Sequence, residues 1–294
     1  GQLRVQYSGT KEAPIIYGAY GEGNLPQLHG AGKVGATVYG ENVSYVTVKE
    51  LEVTNEGDTT AYHRGIYLLA ASESIYGIQI TDCYVHDVDS NITELEEETE
   101  TVITALRLAD PHWVGGIVVR AGADTFPCNA TLLRMLTVND VIIQGNRVEN
   151  CMQTGIAAGS ILAATHQSKG ISILGNSVKN CYGDGIILFS SHAGVIEGNL
   201  SDGNADNDVP KVAFAGIWTV QSTADLLQYN ESCNMGESAD GQGFDVDGGC
   251  YGTLVQYNYA HDNYGGAIMS RIGKLPVEIP SSVTVTVAEG NLVQ

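Results

Sequence analysis

The sequence has 294 residues, 36 of them glycine, and a formal charge of −20 from 34 acidic against 14 basic side chains. That acid excess argues against nucleic acid or an anionic membrane as partner and weighs against polyanionic substrates, and no apolar run approaches the ~20 residues of a membrane-spanning helix. Abundant Gly and Asn with few helix-forming stretches point to short strands joined by turns.

The chain begins at Gly1 with no leader visible, which reads as a processed form or a fragment. Ser8–Leu28 ("SGTKEAPIIYGAYGEGNLPQL") and His63–Ala71 ("HRGIYLLAA") are short apolar stretches between turns. From Ile75 a unit repeats: "IYGIQITDCYVHDV", then "NDVIIQGNRVENCMQTGI" from Asn139 and "KGISILGNSVKNCYGDGI" from Lys169. It returns as "HAGVIEGNLSDGN" from His192, "TADLLQYNESCNMG" from Thr223 and "YGTLVQYNYAHDNYGGA" from Tyr251. Each unit holds an apolar alternation, usually Gly-Asn or Tyr-Asn, a second short strand, a turn, and a glycine leading a third strand. The leading glycines are Gly65, Gly116, Gly155, Gly185, Gly216, Gly243 and Gly266. Their spacing shortens toward the ~20–25 residues that three short strands require. Stacked coils bury the faces that one coil leaves open. The pattern predicts an all-β, right-handed parallel β-helix over residues 1–270, followed by an extension, 271–294, that ends in an extended strand at Val283–Val287.

Asn146, Asn176, Asn199, Asn230 and Asn258 fall at one position of successive coils, where stacked side chains can hydrogen-bond along the axis. Five Asn-x-Ser/Thr triplets, at Asn42, Asn91, Asn129, Asn199 and Asn230, hint at a secreted glycoprotein. The inward register removes Asn199 and Asn230 as acceptors and leaves Asn91 and Asn129, in expected loops. Cys151 and Cys181 share a position in adjacent coils; strand spacing permits either a disulfide or a stack of thiols. Segment 91–112, with "TELEEETE" from Thr93, reads as a solvated loop or a short helix lying across the coil, and 201–212 as a second insertion.

In the glycine-led strands, Ile66, Ile117, Ile156, Ile186, Ile217 and Phe244 are expected inward, since strand side chains alternate. The next residues then form an outward column: Tyr67, Val118, Ala157, Ile187, Trp218, Asp245 and Ile268. Two residues on, a second outward column runs Leu69, Arg120, Gly159, Phe189, Val220, Asp247 and Ser270. Asp245 and Asp247 thus share one face with Cα atoms ~6.6 Å apart, beside Trp218. Glycoside hydrolysis needs two such carboxylates, one protonating the leaving oxygen and one attacking the sugar or activating water. Asp184, just before its strand, is the third catalytic candidate. Asp240, His261 and Asp262 lie in turns near the same edge. Trp218, Arg120, His261 and Asp262 are the substrate-binding candidates. The His261-Asp262 pair repeats His86-Asp87, which favours a structural turn. No cofactor is required, although the aspartate pair also suits calcium. The outward columns are apolar enough to need a cover: a loop, a missing domain or a partner subunit.

Ser8–Leu28, His63–Ala71 and "DGQGFDVDGGCYGTLVQYNYAHDNYGGAIM" (Asp240–Met269) resemble secreted right-handed β-helix proteins of the pectate-lyase-like superfamily, many of them bacterial polysaccharide hydrolases and lyases. The resemblance spans roughly residues 1–270 and implies the fold more strongly than the reaction. The paired-Asp and Arg-Ile-Lys signatures of polygalacturonases and the basic set of pectate lyases are not found. The expectation is an extracellular, polysaccharide-active enzyme, a glycoside hydrolase before a lyase. Two alternatives stand beside it. One is a structural subunit of an extracellular filament, associating head to tail by exchange of "VTVTV" with the first coil near Leu3–Tyr7. The other is a non-catalytic glycan-binding module.

Overall fold

A computed structural model describes residues 1–90, 111–123, 130–161, 164–205, 213–270 and 292–293. Three parallel sheets form the walls of a right-handed parallel β-helix. The glycine-led wall stacks Leu3–Val5, Ala36–Glu41, Arg64–Ala70, Gly115–Ala121, Thr154–Gly159, Ile186–Phe189, Ile217–Val220, Phe244–Val246 and Ile268–Ser270. The second wall runs from Ile15–Gly18 through Val46–Lys49, Ile75–Thr81, Val138–Gln144, Ile171–Leu174, Val195–Glu197 and Leu226–Gln228 to Leu254–Gln256 and Leu292–Val293. The third stacks Gln27–His29, Glu52–Asn55, Tyr84–Val88, Arg147–Cys151, Ser177–Lys179, Leu200–Asp202, Glu231–Cys233 and Tyr259–His261. The chain visits the walls in that order, coil after coil.

The column Ile66, Ile117, Ile156, Ile186, Ile217 and Phe244 is in register and buried in the interior. The leading glycines are set by crowding. A Cβ on Gly155 would lie 2.2 Å from Val178 Cγ1, and one on Gly216 1.9 Å from Ser232 Oγ. There the glycine-led and third walls approach too closely for any side chain on the glycine.

The asparagine column is a hydrogen-bond ladder. Asn199 Nδ2 donates to Asn230 Oδ1 (2.9 Å) and to Ile173 O (2.9 Å), while its Oδ1 accepts from Asn176 N (2.8 Å) and Nδ2 (2.9 Å). Asn146 and Asn258 continue the pattern in the coils on either side. The residue before each asparagine is left-handed: Gly145 (φ 65), Gly175 (φ 59), Gly198 (φ 68), Tyr229 (φ 54) and Tyr257 (φ 53). The Gly-Asn signature is therefore a tight corner followed by an inward amide. Tyrosine fills the same corner at a steric cost that glycine avoids. As expected, Asn199 and Asn230 are buried. Asn91 and Asn129 lie outside the described residues, as do most of segment 91–112 and Val283–Val287. Cys151 and Cys181 are unbridged and stacked in the interior. The hydrogen bond to Cys181, together with burial, pushes the Cys151 thiol well above its ordinary pKa.

The last coil departs from the expected register by one residue. Phe244 pairs with Ile268, Asp245 with Met269 and Val246 with Ser270. Ile268 therefore packs on the core instead of pointing outward, and Ala267, not Gly266, matches the leading glycines. Gly266 serves the preceding turn, at φ 98 with its amide donating to Asn263 O (3.3 Å).

Asn199→Ala deletes both side-chain links of the ladder and leaves the Asn176 amide donors and the Ile173 carbonyl facing a void, while the Asn199 backbone amide keeps its bond to Asn230 Oδ1 (2.9 Å). Each stranded buried polar group costs about 1–3 kcal/mol. Urea unfolding followed by circular dichroism should show a loss of about 3 kcal/mol or more, against less than about 0.5 kcal/mol for the exposed Lys169→Ala.

Candidate active site on the glycine-led wall

The outward columns stand as expected through the strand Phe244–Val246, the eighth of this wall. Tyr67, Val118, Ala157 and Ile187 follow one another in register and lead to Trp218, which pairs with Asp245. These side chains form a second apolar cluster outside the coil, with Leu69, Phe189 and Val220 in it. The wall is covered by its own chain: the Trp113 ring stacks on Phe189 at 4.3 Å. Arg120, on the same wall, is only 2% exposed. Its Nη2 donates to Ala123 O (3.0 Å), and its guanidinium lies 5.6 Å from the centre of the Trp113 ring. Arg64 is bound in a similar way, with Nε donating to Trp113 O (2.6 Å) and its charge 4.2 Å over Tyr67.

Asp184 sits in the turn before Ile186–Phe189 and is wholly buried. Its Oδ1 accepts from Trp218 Nε1 (2.9 Å) and Ala215 N (2.9 Å). Its Oδ2 accepts from Thr154 Oγ1 (3.4 Å) and lies 2.6 Å from His112 Nδ1. Four donors compensate the cost of burying this carboxylate. They also turn Asp184 into a clamp that orients two rings. The His112 ring is edge-on to Trp218 (5.3 Å) and Phe214 (5.8 Å) and 6.1 Å from Phe189. His112 comes from the short 3-10 turn Pro111–Trp113, at the end of the acidic insertion.

Asp245 is sealed in the wall at 1% exposure. Asp247, just beyond the strand Phe244–Val246, is half-buried; its amide donates to Thr219 O (3.0 Å) and its Oδ1 accepts from Gly248 N (2.6 Å). Asp240, earlier in the same segment, is also half-buried. Trp218, at 6% exposure, has its ring occupied by protein. The structure thus brings Asp184, Trp218, Asp245, Asp247 and Arg120 onto one wall. It does not bring His261 and Asp262 there. His261 ends the strand Tyr259–His261 of the third wall, where its Nδ1 meets Asp262 Oδ2 (2.8 Å) and its Nε2 meets Glu231 Oε1 (3.1 Å). These carboxylates, Asp262 first, raise the imidazole pKa. His112, Trp113 and Phe214 belong to the site but escape the repeat pattern because they lie at or just after the ends of the two insertions. The one trace of them is an aromatic pair directly ahead of a leading glycine, "PHWVGG".

No helix among the described residues is long and apolar enough to cross a membrane. Residues 115–274 match the family model described as a right handed beta helix region. The lacto-N-biosidase of Bifidobacterium longum subsp. longum is 26% identical over 89% of this chain, which spans 21% of that protein. The GH136 lacto-N-biosidase of Eubacterium ramulus, solved as a selenomethionine derivative and as native protein, superposes with TM-scores of 0.73 and 0.72 at 23% identity. Those matches cover 92% of this chain and 50% of the solved ones. The chain therefore spans about a fifth of the curated relative and half of the solved chains, and the structural likeness shows the fold.

Asp184→Ala strands the His112, Trp218 and Ala215 donors in a dry interior. Denaturant unfolding should show a loss of about 3–5 kcal/mol, with altered tryptophan fluorescence in the folded baseline. Asp247→Ala, at a half-exposed position, should cost less than about 1 kcal/mol.

Proposed function

The chain belongs to the right-handed β-helix family, and on that premise we propose that it is the catalytic β-helix of an extracellular glycoside hydrolase acting on lacto-N-biosides. The supporting observation is twofold: similarity to lacto-N-biosidases along nearly the whole chain, and three carboxylates in the segment Asp240–Asp247, of which Asp245 and Asp247 lie on one outward wall. Hydrolysis of a glycosidic bond needs an acid for the leaving oxygen and a second carboxylate to attack the anomeric carbon or activate water. Asp247 keeps contact with solvent and takes one of these roles. Asp245 takes the other in the arrangement that the strand register sets. Asp240 competes with it, because it too reaches solvent while Asp245 is sealed beside Trp218.

The Asp184 clamp then has a positioning role. It fixes Trp218 and His112, and so the wall against which Asp245 packs, at little reorganisation cost during reaction. Arg120, held over Trp113, supports that wall from within. No step requires a metal at the aspartates. An activity that depended on added calcium, with an unsaturated product, would move the reading to a uronide lyase. The acidic surface and a glycan substrate both fit a secreted or cell-surface location.

The test is release of the disaccharide from an aryl lacto-N-bioside, using both this chain and the longer protein that contains it. Asp247→Asn should lower kcat by on the order of 10²–10⁴-fold with an unchanged unfolding midpoint. Asp245→Asn and Asp240→Asn, assayed beside it, identify the second carboxylate by which one falls with it. Full activity in all three variants would reject the assignment.

A further inference from the structure

The third wall carries a second constellation, away from the aspartates. In the strand Glu231–Cys233, Ser232 points into the coil and its two neighbours point out. Cys233 is in register with His261 of the next strand, and Glu231 with Tyr259. A carboxylate oxygen of Glu231, the Cys233 sulfur and a ring nitrogen of His261 all lie within 4.8 Å of one another. His261 is already aimed, since Asp262 holds Nδ1 at 2.8 Å and turns Nε2 toward Glu231. A carboxylate behind the distal nitrogen is the usual support of a metal-bound imidazole. On the far side of the thiol, Asp202 Oδ1 lies 3.5 Å from the sulfur.

The chain contains its own control. The same frame occurs near the other end of the wall, where Glu52 is in register with Tyr84 and Thr54 with His86. There His86 Nδ1 meets Asp87 Oδ2 at 2.7 Å, and its Nε2 lies 3.4 Å from Glu52 Oε1. Tyr84 lies against His86 at 4.0 Å as Tyr259 lies against His261 at 4.5 Å. Glu, Tyr, His and Asp thus recur as a structural motif. The difference is the residue in the middle: Thr54, whose hydroxyl is bonded to His29 Nδ1 (2.9 Å), against Cys233. A threonine hydroxyl is a poor ligand for a transition metal, whereas a thiolate is a strong one for zinc.

We propose that Glu231, Cys233 and His261 form a site for a zinc-type divalent cation, with three protein donors and a remaining position open to solvent. Binding exchanges the Cys233 thiol proton, released to water, for a sulfur–metal bond. The cation ties the Glu231–Cys233 strand to Tyr259–His261 and so braces the coil that follows Asp247.

The test titrates the full, metal-free chain with Co²⁺ as the absorbing probe and then with Zn²⁺ in competition. The expected result is one equivalent of Co²⁺ with a thiolate-to-metal charge-transfer band, displaced by Zn²⁺, and a melting temperature raised by a few degrees at a hundredfold excess of Zn²⁺ over Kd. Cys233→Thr, which copies the native Thr54 arrangement, should abolish the band and the thermal shift. His261→Gln, which keeps the thiol, should weaken binding by ~100-fold, and His86→Ala should leave it unchanged. Absence of a charge-transfer band in the unmodified chain, or a band that survives Cys233→Thr, overturns the proposal.

Discussion

The amide of Asn199 donates to Asn230 and accepts from Asn176, and in doing so fixes the height of each coil relative to the next. Because side chains alternate along a strand, a slip of one residue would exchange the inner and outer faces of a whole coil. The ladder makes such a slip costly, since every amide would lose two partners at once inside a dry core. The apolar column from Ile66 to Phe244 and the close approach of the leading glycines to the third wall enforce the same register. The outward placement of Asp245 next to Trp218 follows from that register alone.

The glycine-led wall then behaves less like a surface than like a second core. Its apolar outward residues are buried under Trp113 and neighbouring segments, and a fully bonded carboxylate, Asp184, pins the rings of His112 and Trp218. Such an arrangement stores its order before substrate arrives. Asp245 is sealed in this wall and Asp247, just beyond its strand, is half-buried, so the proposed hydrolysis would hold the glycosidic bond against a rigid floor while water is admitted from one side.

Much of this was legible in the sequence because the chain repeats. Gly-Asn reported a left-handed corner and an inward amide, and the alternation around each leading glycine reported two faces. Periodicity misleads where a residue serves a local turn. Gly266 looks like a leading glycine but belongs to the turn from Asn263, so periodicity puts the last coil one residue out of register. His261 and Asp262 look adjacent to the aspartates in sequence, yet the chain crosses the second wall before reaching them. His112 had no repeat to announce it. The burial of Trp218 and Arg120 depends on segments outside the coils, and periodicity carries no information about those. The His-Asp pair was visible twice, and comparing the two copies separates the frame they share from the thiol that only one of them has.

If the proposed hydrolysis takes place on the glycine-led wall, the sugar binds there, and a structure of the protein with the disaccharide proposed as its product tests this most directly. The expected result has the anomeric hydroxyl hydrogen-bonded to the Asp247 carboxylate, with a second carboxylate, from Asp245 or Asp240, on the other side of the anomeric carbon. A disaccharide seated on the second or third wall, or held on this one beyond reach of Asp247, would contradict it.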